Sequence, residues 1–280
     1  MNLAQNFVHP AAERALLMTK NDSKQRSIES FSKVGDAYVK SESHAKGDDL
    51  ARLIAIANPQ KSWEALDVAT GGGHTALALS AHVKKVVATD ITPNMLASAE
   101  QFVRNQKNVT NIEFKHADAE DLPFEDKTFD LVTCRIAPHH FPECQKFVNE
   151  AYRVLKPGGL FVMQDQVLPK NRAAGRLIDD FEQLRDPAHN RAYSEDEWCE
   201  MFRSAGFIIE HTECLTKRHE FDKWARRVVD SDAVVQNLIQ MVKKAPVEMV
   251  DWLAPLPDVA SFHLPGSSFI NHHLIIAGRK

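Results

Sequence analysis

The stretch ALDVATGGGHTALA, residues 65–78, sets an acidic side chain, Asp67, near the end of an apolar run and follows it with three consecutive glycines. Glycine carries no Cβ, so such a turn can take positive φ and leave main-chain atoms open to a ligand. The pattern reads as a strand, a loop built to be approached, and then a helix from about Thr75. A loop of this kind suits a nucleotide-type ligand.

The chain on either side alternates strand and helix. Upstream, Asp48 is a candidate cap for a helix whose apolar residues Leu50, Leu53, Ile54 and Ala57 fall on one face, and Asn58-Pro59 stops it. Downstream come a strand at 85–90 and a helix with Thr92 as N-cap and Pro93 at its first position, running to about Gln106. Strands are expected at 112–118 and 130–136. Pro142 then opens a helix with Phe147, Val148, Ala151, Val154 and Leu155 on one face, which Lys156-Pro157-Gly158-Gly159 ends before a strand at 160–164. Each helix must bury its stripe against the sheet, and the crossovers are right-handed. The fold class is therefore α/β, a doubly wound and mostly parallel sheet.

Beyond residue 165 the pattern loosens. Segments 171–185 and 219–244 read as helical, and Ser194 with Glu197 forms a capping box for a helix carrying Trp198, Met201, Phe202 and Ala205, ended by Gly206. Strands at 207–215 and 269–277 would complete the sheet with an antiparallel pairing. The proline-punctuated stretch 246–265 reads as irregular.

The 280 residues are 44% hydrophobic and 26% charged, with a formal net charge of −4, an ordinary globular composition. Basic pairs such as Lys84-Lys85, Arg226-Arg227 and Lys243-Lys244 are isolated, so nothing points to nucleic acid. No apolar run approaches the roughly 18 residues of a membrane helix. Cys134, Cys144, Cys199 and Cys214 are far apart, without a Cys-x-x-Cys pair or a signal-peptide segment, which fits a reducing cytoplasm. No residues stand at metal-ligand spacing, so no metal is expected. Residues 1–25 read as a tail.

In an open parallel sheet, ligands bind beyond the carboxyl ends of the strands. Asp67, Asp90 and Asp118 fall at three such ends. Asp90 offers two oxygens to neighbouring ribose hydroxyls; Asp118 suits the exocyclic amine of adenine, with the Ala119 amide facing a ring nitrogen; Asp67 can orient the glycine loop or meet an ammonium group. The run Gly71-Gly72-Gly73-His74-Thr75-Ala76 also satisfies the dinucleotide template G-x-G-x-x-A, with Asp90 about twenty residues on. A nicotinamide-dependent oxidoreductase is thus the alternative enzyme, and a non-catalytic adenosine-binding protein the alternative outside enzymology. Asp67 and Asp118 favour a cationic ligand over a pyrophosphate. S-adenosylmethionine, with a sulfonium and an ammonium, meets that requirement.

These features come together in a resemblance. ALDVATGGGHTALAL, VVATDITPNML, HADAEDLPFEDKTFDLVTCRIAPHHF and VLKPGGLFVMQD stand in the order seen in class I S-adenosylmethionine-dependent methyltransferases, and the chain most resembles the small-molecule branch that includes the ubiquinone and menaquinone C-methyltransferases. The likeness covers residues 38–165 closely and 194–210 more loosely. It implies a Rossmann-like seven-stranded sheet with a reversed final hairpin and a helical carboxyl-terminal insertion. One domain over 26–280 is expected, with lid helices at 26–60, a cofactor-binding half at 61–165 and substrate-side elements at 166–280.

The resemblance further implies that Asp90 binds ribose, that Asp118 and Ala119 read adenine, and that Thr70, Gly71 and Gly73 line the methionine portion. Ile91, Met95 and Arg135 are further cofactor-side candidates, and Tyr38, Ser41 and His44 resemble the family's amino-terminal lid. His139 and His140 are the candidate bases, and adjacent residues of an extended chain point oppositely, so one of them should face the pocket. Trp224, Trp252 and Phe262 could wall an apolar acceptor site. Where nucleic-acid methyltransferases carry a segment like Asn-Pro-Pro-Tyr, this chain has Arg135-Ile136-Ala137-Pro138-His139, which favours a small organic acceptor. The chain departs from the family at Ala69, where glycine is usual; a methyl group is acceptable there if φ is negative.

Overall fold

The computed structural model describes residues 20–32, 47–228 and 230–280. The strands are β1 (Glu64–Val68), β2 (Lys85–Asp90), β3 (Ile112–His116), β4 (Phe129–Arg135), β5 (Leu155–Leu168), β6 (Tyr193–Ser194), β7 (Ile208–Glu220) and β8 (Ser268–Arg279). They form one sheet in the order β3-β2-β1-β4-β5-β8-β7, and the two-residue β6 pairs with β5 off that path. Strands β1 to β5 of the path run parallel, while β8 is antiparallel to both β5 and β7. The doubly wound sheet with a reversed strand is thus present, enlarged from the expected seven strands to eight by β6.

The helices are α1 (Lys20–Phe31), α2 (Asp48–Ala57), α3 (His74–Ser80), α4 (Pro93–Arg104), α5 (Cys144–Val154), α6 (Arg172–Arg185), α7 (Glu195–Ala205), α8 (Phe221–Ala225), α9 (Asp232–Lys243) and α10 (Val247–Leu253). One face of the sheet packs Leu66, Val132 and Phe161 against Phe147 and Val148 of α5 and Trp198 and Phe202 of α7. The other packs Ala65, Val86 and Ile275 against Leu53 and Ala57 of α2 and Ala76 and Leu79 of α3. A third cluster joins α6, α8, α9 and α10 through Phe181, Trp224, Leu238 and Leu253, with Phe262 beside them, into a cap.

Several local expectations change. Gly47, not Asp48, is the N-cap of α2, with extended φ and ψ and no side-chain cap bond. β3 stops at His116, so Asp118 lies two residues past the strand, bridged to Asp121. β7 runs to Glu220 because its long pairing with β8 continues to Glu220↔Ser268. The 246–265 stretch contains α10, which begins directly after Pro246 as N-cap. The capping box is formed as expected, Glu197 accepting from the Ser194 amide at 2.9 Å and the Ser194 hydroxyl facing the Glu197 amide.

Candidate active site

Beyond the carboxyl ends of β1, β2 and β4 lies a cleft enclosing about 1070 Å³ of empty space out to its mouth. Asp67, Asp90 and Asp118 all line it. So do Thr70, Gly71, Ile91, Met95, Ala119, Arg135 and His140. Of the remaining candidates, Gly73 and His139 stand behind the wall, and Tyr38, Ser41 and His44 lie outside the described residues.

The loop after β1 is built by side chains turned inward. Asp67 is buried and accepts from the hydroxyls of Thr70 at 2.6 Å and Thr133 at 2.7 Å. Burial raises its pKa to about 6 against the pull of those two bonds. Its carboxylate therefore orients the loop. Ala69 has φ +52, so the negative φ expected of this alanine is not found: the chain turns left-handed where glycine would do so without strain. Gly71, at φ +55, has open space where a Cβ would stand, so the ligand side of the loop is bare main chain.

Gly73 does something else. At φ +81 it is the N-cap of α3, and a Cβ there would meet the Ala99 Cβ of α4 at 3.3 Å. It lets two helices approach instead of lining the cleft, a packing role that the quoted motif alone did not separate from ligand contact.

Asp90, nearly buried at the end of β2, accepts from the Gly71 amide at 3.0 Å and the Thr92 amide at 2.9 Å. Burial raises its pKa while these amides oppose the shift. Asp118 accepts from the Glu120 amide at 2.9 Å and from Lys24 at 2.5 Å; Lys24 also reaches Glu120 at 2.7 Å. Helix α1 thus closes over the cleft, placing Lys24, Ser27 and Phe31 on its wall. Residues 20–25, read above as part of a tail, belong to this helix, whose lack of a strong apolar stripe hid its start.

Arg135 is almost fully buried and bonds Asp49 of α2 at 2.8 Å and the Thr75 hydroxyl at 3.2 Å. Burial would raise the pKa of Asp49, but the Arg135 guanidinium and the Gln164 amide outweigh it and hold the carboxyl low. Among the described lining residues, four acids (Asp67, Asp90, Asp118, Glu120) face two cations (Lys24, Arg135).

The two histidines sit in a 3₁₀ turn, Pro138–His140, so the alternation of an extended chain does not apply. His139 is buried and held twice by Asp165: its amide donates to one carboxylate oxygen and its Nδ1 lies against the other, both at 2.6 Å. Burial, then the neighbouring His189, pushes its pKa well down. His140 faces the cleft with Nδ1 3.0 Å from the Ala188 carbonyl. A carbonyl only accepts, so Nδ1 carries the proton and Nε2 is left as an acceptor. Burial, then His139, pushes the His140 pKa down to about 3, so the ring stays neutral at ordinary pH. Asp165 was missed, though a Gln-Asp-Gln break in an apolar strand was a signal. Trp224 and Phe262 are cap core, while Trp252 stacks on His272 at 3.8 Å; none lines the cleft.

The order of strands, the reversed β8 and the acid-lined cleft at the switch of chain direction define a Rossmann-like methyltransferase fold. The family described as methyltransferase domain matches residues 66–163. The chain is 36% identical over 197 residues to the uncharacterized methyltransferase YcgJ of Bacillus subtilis (strain 168), covering 70% of this chain and 78% of that one. It is 34% identical to the ubiquinone/menaquinone biosynthesis C-methyltransferase UbiE of Brucella suis biovar 1 (strain 1330), covering 75% and 72%. A solved structure from Bacillus halodurans C-125 superposes with a TM-score of 0.78 at 38% identity, covering 84% of this chain and 99% of that one. The chain belongs to the S-adenosylmethionine-dependent methyltransferases.

Proposed function

We propose that the protein moves the sulfonium methyl of S-adenosylmethionine to a small organic acceptor by in-line displacement, in the cleft lined by Asp67, Asp90 and Asp118. The observation that carries this reading is the excess of carboxylates around bare main chain at Gly71. Such walls oppose a pyrophosphate and suit a ligand bearing sulfonium and ammonium charges. Of the roughly four acceptor directions on an ionised carboxylate, the Gly71 and Thr92 amides use two of Asp90's, leaving two for adjacent ribose hydroxyls. Asp118 and the Ala119 amide stand at the adenine end, and Ile91 and Met95 supply apolar wall. Thr70, tied to Asp67, shapes the methionine end together with Gly71.

When bound, the cofactor supplies an already activated methyl group. The chain's contribution is then mainly alignment, for which well-oriented partners gain about 7–11 kcal/mol. His140, its proton held on Nδ1 by the Ala188 carbonyl, turns a neutral ring to the cleft; a pKa of about 3 suits it to accept a hydrogen bond from the methyl acceptor and orient it, and not to act as a strong base. The name of UbiE, a quinone-pathway C-methyltransferase, supports a small organic acceptor over a macromolecule.

A thermal-shift comparison tests the cofactor. S-adenosylhomocysteine at one hundred times its Kd should add about 2.7 kcal/mol, or roughly 5–10 °C, and NAD should add nothing. Stabilisation by NAD alone would reverse the reading.

A further inference from the structure

On the sheet face turned toward α2, the carboxyl-end region of β4, β5, β8 and β7 carries a polar row. Arg135 stands opposite Gln164, Gln166 opposite His273, and Lys217 opposite Asn271 in register. Residues directly opposite share a face, and so do those two apart on a strand, so these side chains project into one space. Helix α6 covers it, since Glu182 accepts from Asn271 at 3.2 Å and Arg185 lies one turn further on.

Three polar atoms in this space have no hydrogen-bond partner: Oε1 of Gln164, Nδ1 of His273 and Nε of Arg185. Their side chains belong to residues only 1%, 5% and 6% exposed. Each such buried, unsatisfied group costs about 1–3 kcal/mol, and folded proteins hold few of them. Three on one sheet face and the helix that covers it leave positions that a polar group can fill. Cations and carboxylates both meet here: Arg135 and Lys217 stand in the row, and Arg185 reaches Glu182 at 3.3 Å and Asp186 at 3.7 Å while its Nε stays unpaired. His219, whose partner across the strands is Phe269, has its pKa pushed to about 3 by burial and then by the cations Arg227 and Lys217, and burial holds His273 at about 4, a neutral ring that can donate. Lys217 is itself shifted down by burial and by Arg135 and Arg227, against the attraction of Asp49.

We propose that this chamber is the acceptor subsite, and that it takes an acceptor bearing an oxyanion, a carboxylate or a phosphate, seated among Lys217, His273 and Arg185. The assignment rests on the reading of the adjoining cleft as the cofactor site; Arg135 lines that cleft and also stands in the row. Imidazole and guanidinium donors fill the orphaned positions by bonding the oxyanion, and Gln164 accepts from the acceptor's own donor group. No component of the transfer beyond donor and acceptor is required.

Calorimetry on the full chain tests this with benzoate, phenyl phosphate and the neutral benzamide as probes, with and without saturating S-adenosylhomocysteine. At least one anion should bind about tenfold or more tightly than benzamide, the value of one charged hydrogen bond. Which anion prevails distinguishes the carboxylate from the phosphate. In Lys217→Gln and, independently, Arg227→Gln, that preference should fall to within about threefold. Retained S-adenosylhomocysteine binding reports that each variant is folded. Equal binding of benzamide, no binding of either anion, or an undiminished preference in both variants overturns the proposal. Absence of S-adenosylhomocysteine binding to the parent protein would instead overturn the cofactor reading, and the cofactor-free titrations still decide the anion question.

Discussion

Ala69 offers a sharp test of how the cofactor loop is made. Its φ of +52 lies in the left-handed region, where an L-residue is strained by about 1–2 kcal/mol relative to the ordinary helical region. Ala69→Gly releases that strain. Against the gain stand two costs: about 0.4–1 kcal/mol for the freer unfolded chain, and, for a half-buried methyl group, about half of the ~0.8 kcal/mol that a buried CH₂ contributes. The balance runs from about 0.4 kcal/mol less stable to about 1.2 kcal/mol more stable, roughly −2 to +5 °C in Tm. Were the residue at negative φ, both costs would act unopposed and the variant would lose about 1 kcal/mol. Urea unfolding of the two proteins, analysed for midpoint and slope, distinguishes the outcomes. A loss of about 1 kcal/mol or more at unchanged slope would refute the left-handed turn, and with it the account of how the loop bares the Gly71 backbone.

Gly73→Ala should behave in the opposite way: positive φ and a 3.3 Å contact with the Ala99 Cβ together predict a loss of about 1–3 kcal/mol, read as a lower thermal midpoint. An unshifted midpoint would return Gly73 to the list of ligand contacts. Asp90→Ala should weaken S-adenosylhomocysteine binding by about 1.5–3 kcal/mol, roughly 10- to 150-fold in Kd. Calorimetry giving a parental Kd would remove Asp90 from the site. For Asp67 the folded pKa of about 6 lies above the ordinary 3.8, so its contribution to stability is fully present below pH 4 and is lost as pH rises through 6. The stability of Asp67→Asn relative to the parent should therefore rise by about 2.4 kcal/mol between pH 4 and pH 7. A pH-independent difference in urea midpoints would mean that Asp67 is not titrating in that window.

The parts legible in sequence were those written by strong local signals. Apolar runs closed by Asp67 and Asp90, Pro93 after Thr92, and the Ser194–Glu197 capping box each fix an element through its own chemistry, and the elements stand where those residues put them. The cleft followed because parallel strands carry their end residues to one rim. What escaped depends on partners distant in sequence. Lys24 reaches Asp118 across 94 residues and His139 meets Asp165 across 26, and neither contact leaves a periodicity to read. The end of β7 was misjudged for the same reason, since Thr216 to Glu220 is polar and is held as strand by pairing with β8.

The placement of His140 shows how backbone strain directs a side chain. Ile136 follows β4 as Ala69 follows β1, and both take positive φ, 56° and 52°, at the ends of strands that pair side by side. A β-branched residue tolerates that region poorly, and such strain persists only where surrounding contacts over-determine it. Here the Ile136 amide donates to the Gln164 carbonyl at 2.7 Å, and three residues later the His139 amide and ring are both fixed on Asp165. Turned out of its strand and pinned at His139, the chain winds as a 3₁₀ turn, in which successive side chains lie about 120° apart. One imidazole is thereby buried on Asp165 while the next enters the cleft with Nε2 as an acceptor. A straight continuation of β4 would have sent that second ring to a face of the sheet instead, so the strained isoleucine and the buried dyad together hold a neutral imidazole against the cofactor cleft.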